Sequence, residues 1–199
     1  MQRGYICKAN KLKIYICAYI IHVEERTMEK VLVVVDYQKD FVDGALGFPG
    51  AETIESEIVN LINQFRSEGN LVLFTKDTHG ENYMSTVEGQ NLPIPHCISG
   101  TEGHEFTKEV DALVDNSPVF EKHTFPSLAL GNYLRRVNPK EIYLCGLVSD
   151  ICVFSNAIIA KAACPNSYIY VVKAASGSPN KEIEEKAYEI LNHLHIKTI

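Results

Sequence analysis

Short runs of apolar, mostly β-branched residues alternate along the chain with stretches in which apolar residues recur at helical spacing. A short apolar run bounded by turn residues is typical of a strand that is buried on both faces. We predict six strands, over Val31–Val35, Leu71–Thr75, Val119–Glu121, Ile142–Cys145, Tyr168–Val172 and Ile196–Ile199.

Between the strands, apolar residues fall three and four positions apart, which places them on one face of a helix. Gly69 closes the first of these helices, and Pro139 follows the second. Residues 78–104 are rich in Gly, Pro, Asn and Ser, so we predict a long loop there, of the kind that is usually functional. The helical faces are predicted at Ile54, Ile58, Leu61, Ile62 and Phe65; at Leu128, Leu130, Tyr133 and Leu134; from about Ile151 to Ala163; and at Ile183, Ala187, Ile190, Leu191 and Leu194.

The alternation of strands and helices predicts right-handed crossovers between parallel strands, with helices on both faces of the sheet. The predicted fold class is therefore α/β, a three-layer α/β/α architecture with a central, mostly parallel six-stranded sheet. In sheets of this kind the ligand lies beyond the carboxyl ends of the strands. The chemistry is therefore expected in the segments that follow the strands directly.

The composition of the 199 residues is that of a globular protein, with 46% hydrophobic and 22% charged residues. The net charge of −6 argues against nucleic acid as a partner, because no broad basic surface is available. Six cysteines without regular spacing do not indicate a disulfide framework, and they favour a reducing compartment. We expect a cytoplasmic protein.

Residues 1–27 differ from the rest of the chain. Their apolar stretch, Ile14–Val23, has about ten residues, whereas a bilayer span needs about 20, so we expect no membrane anchor. A signal peptide is an alternative, but an acidic pair and an arginine stand where a cleavage pattern is expected. An all-purine codon run for Glu-Glu-Arg would resemble a bacterial ribosome-binding site before Met28. We therefore predict a non-native or poorly ordered extension, followed by a single domain over residues 28–199.

Three side chains with useful chemistry follow three different strands. Asp36 comes directly after the first strand, where a buried acid needs a hydrogen-bonding or charged partner. Lys122 ends the third strand, and Cys152 lies in the first turn of the helix after the fourth. A helix N-terminus stabilises a thiolate, and its N–H groups can hold an oxyanion. Each residue alone has a structural explanation, but together they predict a catalytic group.

The remaining features of this helix and of the cysteines have simpler interpretations. Ser149 or Asp150 is the expected N-cap before Cys152. We interpret three other cysteines as packed thiols, namely Cys97, Cys145 and Cys164.

Four groups that can bind a metal lie in residues 78–104 or just before them. Asp77 and His79 form an Asp-x-His pair, and Glu88 and His96 follow further along. Two prolines just before His96 stiffen its approach. This set suits a divalent cation such as Zn, Mn or Fe. The alternative is a set of ordinary polar loop residues, because the spacing is not that of a zinc finger.

These residues lie in motifs that resemble the isochorismatase-like cysteine hydrolases, and within them the nicotinamidases and pyrazinamidases. The resemblance covers about residues 30–199. Its motifs are Val-Val-Asp36-Tyr-Gln-Lys-Asp-Phe41, Lys76-Asp77-Thr-His79, Pro95-His96-Cys97-Ile-Ser-Gly100-Thr101-Glu-Gly103, Glu121-Lys122 and Cys145-Gly146-Leu-Val-Ser-Asp-Ile-Cys152-Val153.

The resemblance implies an amidohydrolase that converts nicotinamide to nicotinate and ammonia through a thioester, a step of NAD salvage. It implies Cys152 as the nucleophile, Asp36 as the base and Lys122 as the electrostatic stabiliser. The backbone N–H groups of Val148 and Cys152 would form the oxyanion hole, next to a cis peptide bond between Leu147 and Val148. A homo-oligomer is also expected by this resemblance.

The resemblance also implies a divalent metal, with zinc the first choice and manganese or iron the alternatives. Asp77, His79 and His96 match ligands of the nicotinamidases. Glu88 is the fourth candidate, because it matches a glutamate ligand of some members. Others use a histidine where this chain has Ser85.

The residues expected to pack against the substrate ring, called the wall below, depart from the pattern of the family. Phe41 matches a position that packs against the substrate ring, but Pro93 stands where nicotinamide-binding members usually have an aromatic residue. The segment after Lys122 is also shorter than in typical nicotinamidases. We therefore predict that Phe125 supplies the second wall, and the departures leave the substrate open.

Four other interpretations stand beside this one. A cysteine hydrolase of another small amide, ureido or carbamoyl compound would generally lack the metal group, and an isochorismatase proper would not need Cys152. A silent fold used for association predicts a missing triad member, whereas all three are present. A flavodoxin-like electron carrier predicts a phosphate-binding loop after the first strand, and this sequence has none there.

Overall fold

The computed structural model describes residues 29–199, and the predictions for residues 1–27 lie outside the described residues. Within residues 29–199, six strands form one parallel sheet in the order β3-β2-β1-β4-β5-β6. The predicted strands are therefore confirmed, and the sheet is wholly parallel. The strands are β1 (Lys30–Val35), β2 (Leu71–Asp77), β3 (Val119–Lys122), β4 (Glu141–Leu147), β5 (Tyr168–Gly177) and β6 (Ile196–Thr198).

The same part of the chain contains seven α-helices, of which the four long ones correspond to the predicted helical faces. None of the helices described is long and apolar enough to cross a membrane. The helices are α1 (Lys39–Val42), α2 (Glu55–Ser67), α3 (Val87–Asn91), α4 (Lys108–Asp111), α5 (Leu128–Val137), α6 (Phe154–Ala163) and α7 (Lys181–His193).

The central strand β1 is buried on both faces. Leu32 and Val34 enter a hydrophobic core with α2, whereas Val31, Val33 and Val35 enter a second core with α5, α6 and α7. Successive side chains of a strand point to opposite faces of the sheet, which explains the division. The result is the predicted three-layer α/β/α arrangement.

The long loop contains more regular structure than its composition indicates. Residues 78–104 include two 3-10 turns, Tyr83–Ser85 and Glu102–His104, with helix α3 between them. The Thr86 side chain caps α3 by accepting a hydrogen bond from a backbone N–H three residues on. A helix of five residues is too short to show a hydrophobic period. This short helix carries Glu88, one of the predicted metal ligands.

The buried face of α7 includes Glu184 and Tyr188, besides the predicted alanine and leucine. Glu184 Oε1 accepts hydrogen bonds from the Ser149 hydroxyl at 2.7 Å and from the Tyr188 hydroxyl at 3.2 Å. The apolar pattern alone predicted a different face. Glu184 is buried because its carboxylate is paired, and a paired carboxylate does not appear in an apolar pattern. Three residues of the predicted face are about half exposed as a result, namely Ile183, Ile190 and Leu194.

The helix predicted from Ile151 begins as a π-helical turn, Ser149–Val153, and continues as α6. The predicted N-cap was wrong, because Val148 occupies that position without a side-chain hydrogen bond. The Ser149 hydroxyl donates to Glu184 instead. The start of this helix is therefore held from α7 and not by a cap of its own.

Candidate active site

Three buried side chains converge at the carboxyl edge of the sheet. Asp36 follows β1, Lys122 ends β3 and Cys152 lies in the turn after β4. Lys122 Nζ lies 2.7 Å from Asp36 Oδ2 and 3.7 Å from Cys152 Sγ. The three residues are 0%, 4% and 4% exposed, respectively. Because the strands run in parallel, residues that are distant in sequence meet here, and the lysine contacts both the acid and the thiol.

Burial and mutual charge set the protonation of this group. Burial raises the pKa of Asp36, although the Lys122 ammonium opposes the shift. Burial would lower the pKa of Lys122, but the neighbouring acidic groups, the carboxylate of Asp36 foremost, outweigh it and hold that pKa well above its usual value. Burial also raises the pKa of the Cys152 thiol well above its usual value, in spite of the nearby ammonium. The resting thiol is therefore protonated, and a base is needed to release its proton.

Asp36 offers an oxygen that can accept this proton. The Thr75 hydroxyl donates to Oδ1 at 2.7 Å. Oδ2 lies 2.7 Å from Lys122 Nζ. A carboxylate oxygen has two lone pairs, so Oδ2 can still accept a proton in the centre of the group.

The turn that presents Cys152 is built from closely packed backbone. Gly146 has a φ of 113°, and a Cβ atom there would lie 2.0 Å from the carbonyl oxygen of Val35. The peptide bond between Leu147 and Val148 is cis, in agreement with the resemblance. Val148 and Cys152 line the same cavity, so the turn brings both residues of the predicted oxyanion hole to one place.

Four further side chains beside the thiol form a group that could hold a metal ion, called the metal-binding group below. Asp77, His79, Glu88 and His96 each contribute one ligand atom, and these atoms all lie within 4.8 Å of one another. The Nε2 atoms of His79 and His96 are 3.0 Å and 3.4 Å from Asp77 Oδ2. The same two atoms are 3.5 Å and 3.7 Å from Glu88 Oε1. Two imidazoles and two carboxylates are a donor set that zinc, manganese and iron accept, so these residues fit a divalent metal.

His96 is oriented by its own loop. Its Nδ1 donates to the carbonyl of Ile94 at 2.8 Å, which leaves Nε2 for the metal-binding group. The next residue, Cys97, has a φ of 46°, and its N–H donates to Asp40 Oδ2 at 2.7 Å. Asp40 therefore fixes the backbone beside a predicted metal ligand. Burial raises the pKa of the Cys97 thiol, which fits its interpretation as a packed, unreactive cysteine.

Asp77 connects the two groups. Its Oδ1 accepts a hydrogen bond from Lys122 Nζ at 3.0 Å, while Oδ2 faces the two imidazoles. Gln38 clamps the backbone of Asp77, because its Oε1 accepts from the Asp77 N–H at 2.7 Å and its Nε2 donates to the Asp77 carbonyl at 2.9 Å. Both oxygens of one carboxylate are thus used, and the main chain that carries them is held.

Cys152 and three residues of the metal-binding group, Asp77, Glu88 and His96, line one cavity of about 270 Å³. Phe41 is buried in its wall, with its ring centroid 5.7 Å from that of His96 in an edge-on arrangement. Phe125, which is 43% exposed, also lines the cavity, and so does Leu92. All of the predicted site residues therefore lie in this cavity or directly beside it. The lining also includes Val148.

Sequence patterns did not single out several buried polar residues that support the site. Thr75 and Gln38 hold the two aspartates, and Asp40 holds the loop of the second histidine. Asn156 lies at the start of α6, and Glu184 lies on the buried face of α7. A polar residue within a mostly apolar helix is the signal that could find Asn156, whereas the apolar period of α7 misplaces Glu184.

The comparisons with known proteins agree with this geometry. The Isochorismatase domain family matches residues 30–199. The uncharacterized isochorismatase family protein PncA of Bacillus subtilis is 34% identical over 152 residues, which cover 67% of this chain and 79% of that protein. The nicotinamidase of Acinetobacter baylyi is 25% identical over 193 residues, which cover 80% of this chain and 87% of that enzyme.

A solved structure shares the fold. The pyrazinamidase of Pyrococcus horikoshii in complex with zinc matches with a TM-score of 0.76 and 28% sequence identity, covering 86% of this chain and 98% of that one. The family match includes every residue of the site described above. The chain therefore belongs to the isochorismatase family.

Proposed function

We propose that the protein is a cysteine-dependent amidohydrolase that converts nicotinamide to nicotinate and ammonia. The observation that carries the proposal is the shared cavity, where a buried acid, lysine and thiol adjoin a four-residue metal-binding group. The relatives named nicotinamidase and pyrazinamidase support hydrolysis of an amide bond.

In the proposed mechanism, Asp36 removes the proton of the Cys152 thiol as the sulfur attacks the amide carbon. Lys122 contacts both the Asp36 carboxylate and the Cys152 sulfur, and this contact and the protonated state of the thiol support the step. The Lys122 ammonium stabilises the negative charge on the sulfur and the carboxylate. The backbone N–H groups of Val148 and Cys152 would hold the oxyanion of the tetrahedral intermediate.

The intermediate collapses when the C–N bond breaks. Asp36 returns its proton to the leaving nitrogen, ammonia departs, and the acyl group stays on Cys152 as a thioester. Asp36 then takes a proton from a water molecule, whose oxygen attacks the thioester carbon. Breakage of the C–S bond releases the carboxylic acid, and the proton on Asp36 returns to the sulfur.

We propose that Asp77, His79, Glu88 and His96 hold a divalent metal, zinc in preference to manganese or iron. The zinc complex of a similar pyrazinamidase supports this choice. A metal bound there would supply a Lewis acid for the ring nitrogen of the substrate. The chain itself orients the ligands, through the Nδ1 bond of His96 and the Gln38 clamp on Asp77.

Phe41 and Phe125 would enclose the flat ring of the substrate. Both line the cavity, whose volume of about 270 Å³ suits one small ring with an amide group. Pockets for drug-sized ligands are larger, commonly about 300–1,000 Å³. The cavity therefore has room for nicotinamide or a close heteroaromatic amide.

We further propose a single hydrolase domain over residues 28–199. The enzyme would work in the cytoplasm in NAD salvage, as a homo-oligomer without a nucleic-acid or membrane partner. The four cysteines in the described residues are free, which suits a reducing compartment.

An ammonia-release assay tests the activity. Nicotinamide, pyrazinamide, and a small ureido and a small carbamoyl compound are each incubated with metal-loaded protein and with chelated protein. We expect nicotinamide turnover that is lost on chelation and restored by zinc. Turnover of only the ureido or carbamoyl compound, unaffected by chelation, would replace this proposal with the related cysteine hydrolase.

Two cysteine variants test the nucleophile. Cys152→Ala removes the proposed nucleophile, so turnover should fall to background. Cys164→Ala removes another buried thiol that lies in the core away from the cavity, so it controls for the loss of a packed sulfur. Native turnover by Cys152→Ala would remove the thiol from the mechanism.

A further inference from the structure

Asn156 is fully buried in the first turn of α6, one turn after Cys152. Its side-chain Nδ2 donates to the carbonyl of Cys152 at 2.8 Å and to the carbonyl of Phe125 at 3.1 Å. Its Oδ1 accepts from the backbone N–H of Ser127 at 2.9 Å. The two carbonyls need a donor and the N–H needs an acceptor, so the partners fix the orientation of the amide. A single side chain therefore ties two separate backbone segments together.

The segment between β3 and α5 carries the Phe125 wall and has no regular secondary structure. The His123 ring anchors its start by donating from Nδ1 to the Thr78 carbonyl at 2.7 Å. Further along, Asn156 anchors the carbonyl of Phe125 and the N–H of Ser127. Phe125 is 43% exposed, so packing restrains its side chain only in part. The hydrogen bonds to the backbone on either side of it therefore contribute to holding the wall.

We propose that Asn156 is a positioning residue that sets the distance between the Cys152 thiol and the Phe125 wall, and thereby selects a flat aromatic amide. The inference rests on the proposed function, because it takes the cavity between these residues as the substrate site. Both Cys152 and Phe125 line that cavity, and the rigid amide of Asn156 connects their main chains. When the amide is removed, the turn before α6 still carries Cys152, whereas the wall loses the anchor at Phe125 and Ser127 and keeps only that at His123.

Steady-state kinetics of Asn156→Ala test the proposal. We expect the KM for nicotinamide to rise about tenfold, the size expected for loss of one or two hydrogen bonds, with kcat reduced by less than about threefold. An unchanged KM overturns the proposal. If the alanine variant does not fold, Asn156→Thr retains one donor, and we expect an intermediate rise in KM from it.

Asn192→Ala is the matched control. Asn192 also ties a helix to a neighbouring segment through three hydrogen bonds, to the Tyr188 carbonyl and to the hydroxyl and N–H of Thr198. It lies near the end of α7 and does not line the cavity. Its loss should leave the KM unchanged, and a rise equal to that of Asn156→Ala would contradict a specific role for Asn156.

A double-variant cycle distinguishes an effect of Asn156 through the Phe125 wall from a general loosening of the site. Phe125→Ala should itself raise the KM, because it removes the wall. If Asn156 acts through that wall, adding Asn156→Ala to Phe125→Ala raises the KM little further. If the double variant raises the KM by the product of the two single-variant factors, the two residues act independently, and the proposed coupling is overturned.

Alkylation of Cys152 gives a measurement that needs no turnover. The rates with iodoacetamide and with N-phenyl iodoacetamide are compared, and peptide mapping locates the adduct. We expect the native protein to favour the phenyl reagent and Asn156→Ala to lower that preference about fivefold, which corresponds to about one hydrogen bond. A lowered preference without amide turnover would support Asn156 and contradict the nicotinamidase proposal. An unchanged preference with normal turnover would overturn the role of Asn156 alone.

Discussion

Asp77 and Lys122 are joined by a buried contact of 3.0 Å between Oδ1 and Nζ. The other oxygen of Asp77 faces the imidazoles of the metal-binding group, so one carboxylate serves both halves of the site. Burial alone would raise the pKa of Asp77, but the hydrogen bonds from His79 and His96 and the charge of Lys122 lower it below its usual value. Asp77 is therefore held as an anion between the Lys122 ammonium on one side and two imidazoles on the other.

Replacement of this shared carboxylate should damage both halves. We expect Asp77→Asn to lose bound metal and to stay inactive even when zinc is in excess, because Lys122 also loses a partner. Metal per chain, measured by elemental analysis after dialysis, and ammonia release check this. Glu88→Gln is the control, since it changes the metal-binding group without a contact to Lys122, and its activity should recover with excess zinc. Full recovery of Asp77→Asn would contradict the shared role.

Removal of the buried lysine should cost stability. Lys122→Met leaves the carboxylates of Asp36 and Asp77 buried without their common cation, and loss of one partner from a buried ion pair costs about 3–5 kcal/mol. Urea unfolding of the metal-free protein measures the change. Lys140→Met breaks the exposed pair with Glu29 and should unfold close to the native midpoint. A Lys122→Met variant as stable as the native protein would be evidence against the buried pair.

The thiol should react at unusually high pH. Burial raises the pKa of Cys152, so less thiolate is present at any given pH, and alkylation by iodoacetamide should still accelerate above pH 9. An unperturbed cysteine has a pKa of about 8.5, and its rate levels off above that value. Lys122→Met should move the profile further upward, because the ammonium lowers the thiol pKa. An alkylation rate that levels off below pH 8.5 would contradict the raised pKa of the thiol.

The close approach at Gly146 should make that position intolerant of any side chain. Gly146→Ala would place Cβ 2.0 Å from the Val35 carbonyl oxygen, so the turn before Cys152 must move. Gly50→Ala is the control, because Gly50 also has a positive φ, of 97°, but no atom lies within 4 Å of a Cβ there. We expect Gly50→Ala to lower the free energy of unfolding by about 1–2 kcal/mol through backbone conformation alone. Gly146→Ala should lower it by more, as measured by thermal unfolding. A smaller loss at Gly146 would rule out the close approach.

The strands could be predicted because a strand that is buried on both faces has a continuous run of apolar residues, as in Val31–Val35. The parallel sheet then places the residues after β1 and β3, and the turn after β4, at one edge, which is why Asp36, Lys122 and Cys152 could be grouped before any coordinates were known. The α3 helix could not be predicted, since five residues give no period. Its formation depends on the Thr86 cap and on the tertiary contacts of the loop.

The supporting residues of the site were harder to predict than its reactive ones. Gln38, Asn156 and Glu184 act through backbone and hydroxyl groups whose positions exist only in the folded chain. A sequence motif shows the residue type but not the carbonyl or N–H that it will meet. The contact from Glu184 to Ser149 joins segments on either side of β5, a distance along the chain that no local pattern spans.

That contact also changes how damaged or shortened forms of this gene product should be interpreted. A premature stop codon or a protease cut just before Lys181 would spare each proposed catalytic residue and each proposed ligand, so a motif search would score the fragment as intact. The fragment would nonetheless lack the carboxylate that restrains Ser149, three residues ahead of the thiol. An intact set of motifs is therefore insufficient grounds for assuming activity, and the C-terminal helix belongs in any minimal catalytic unit.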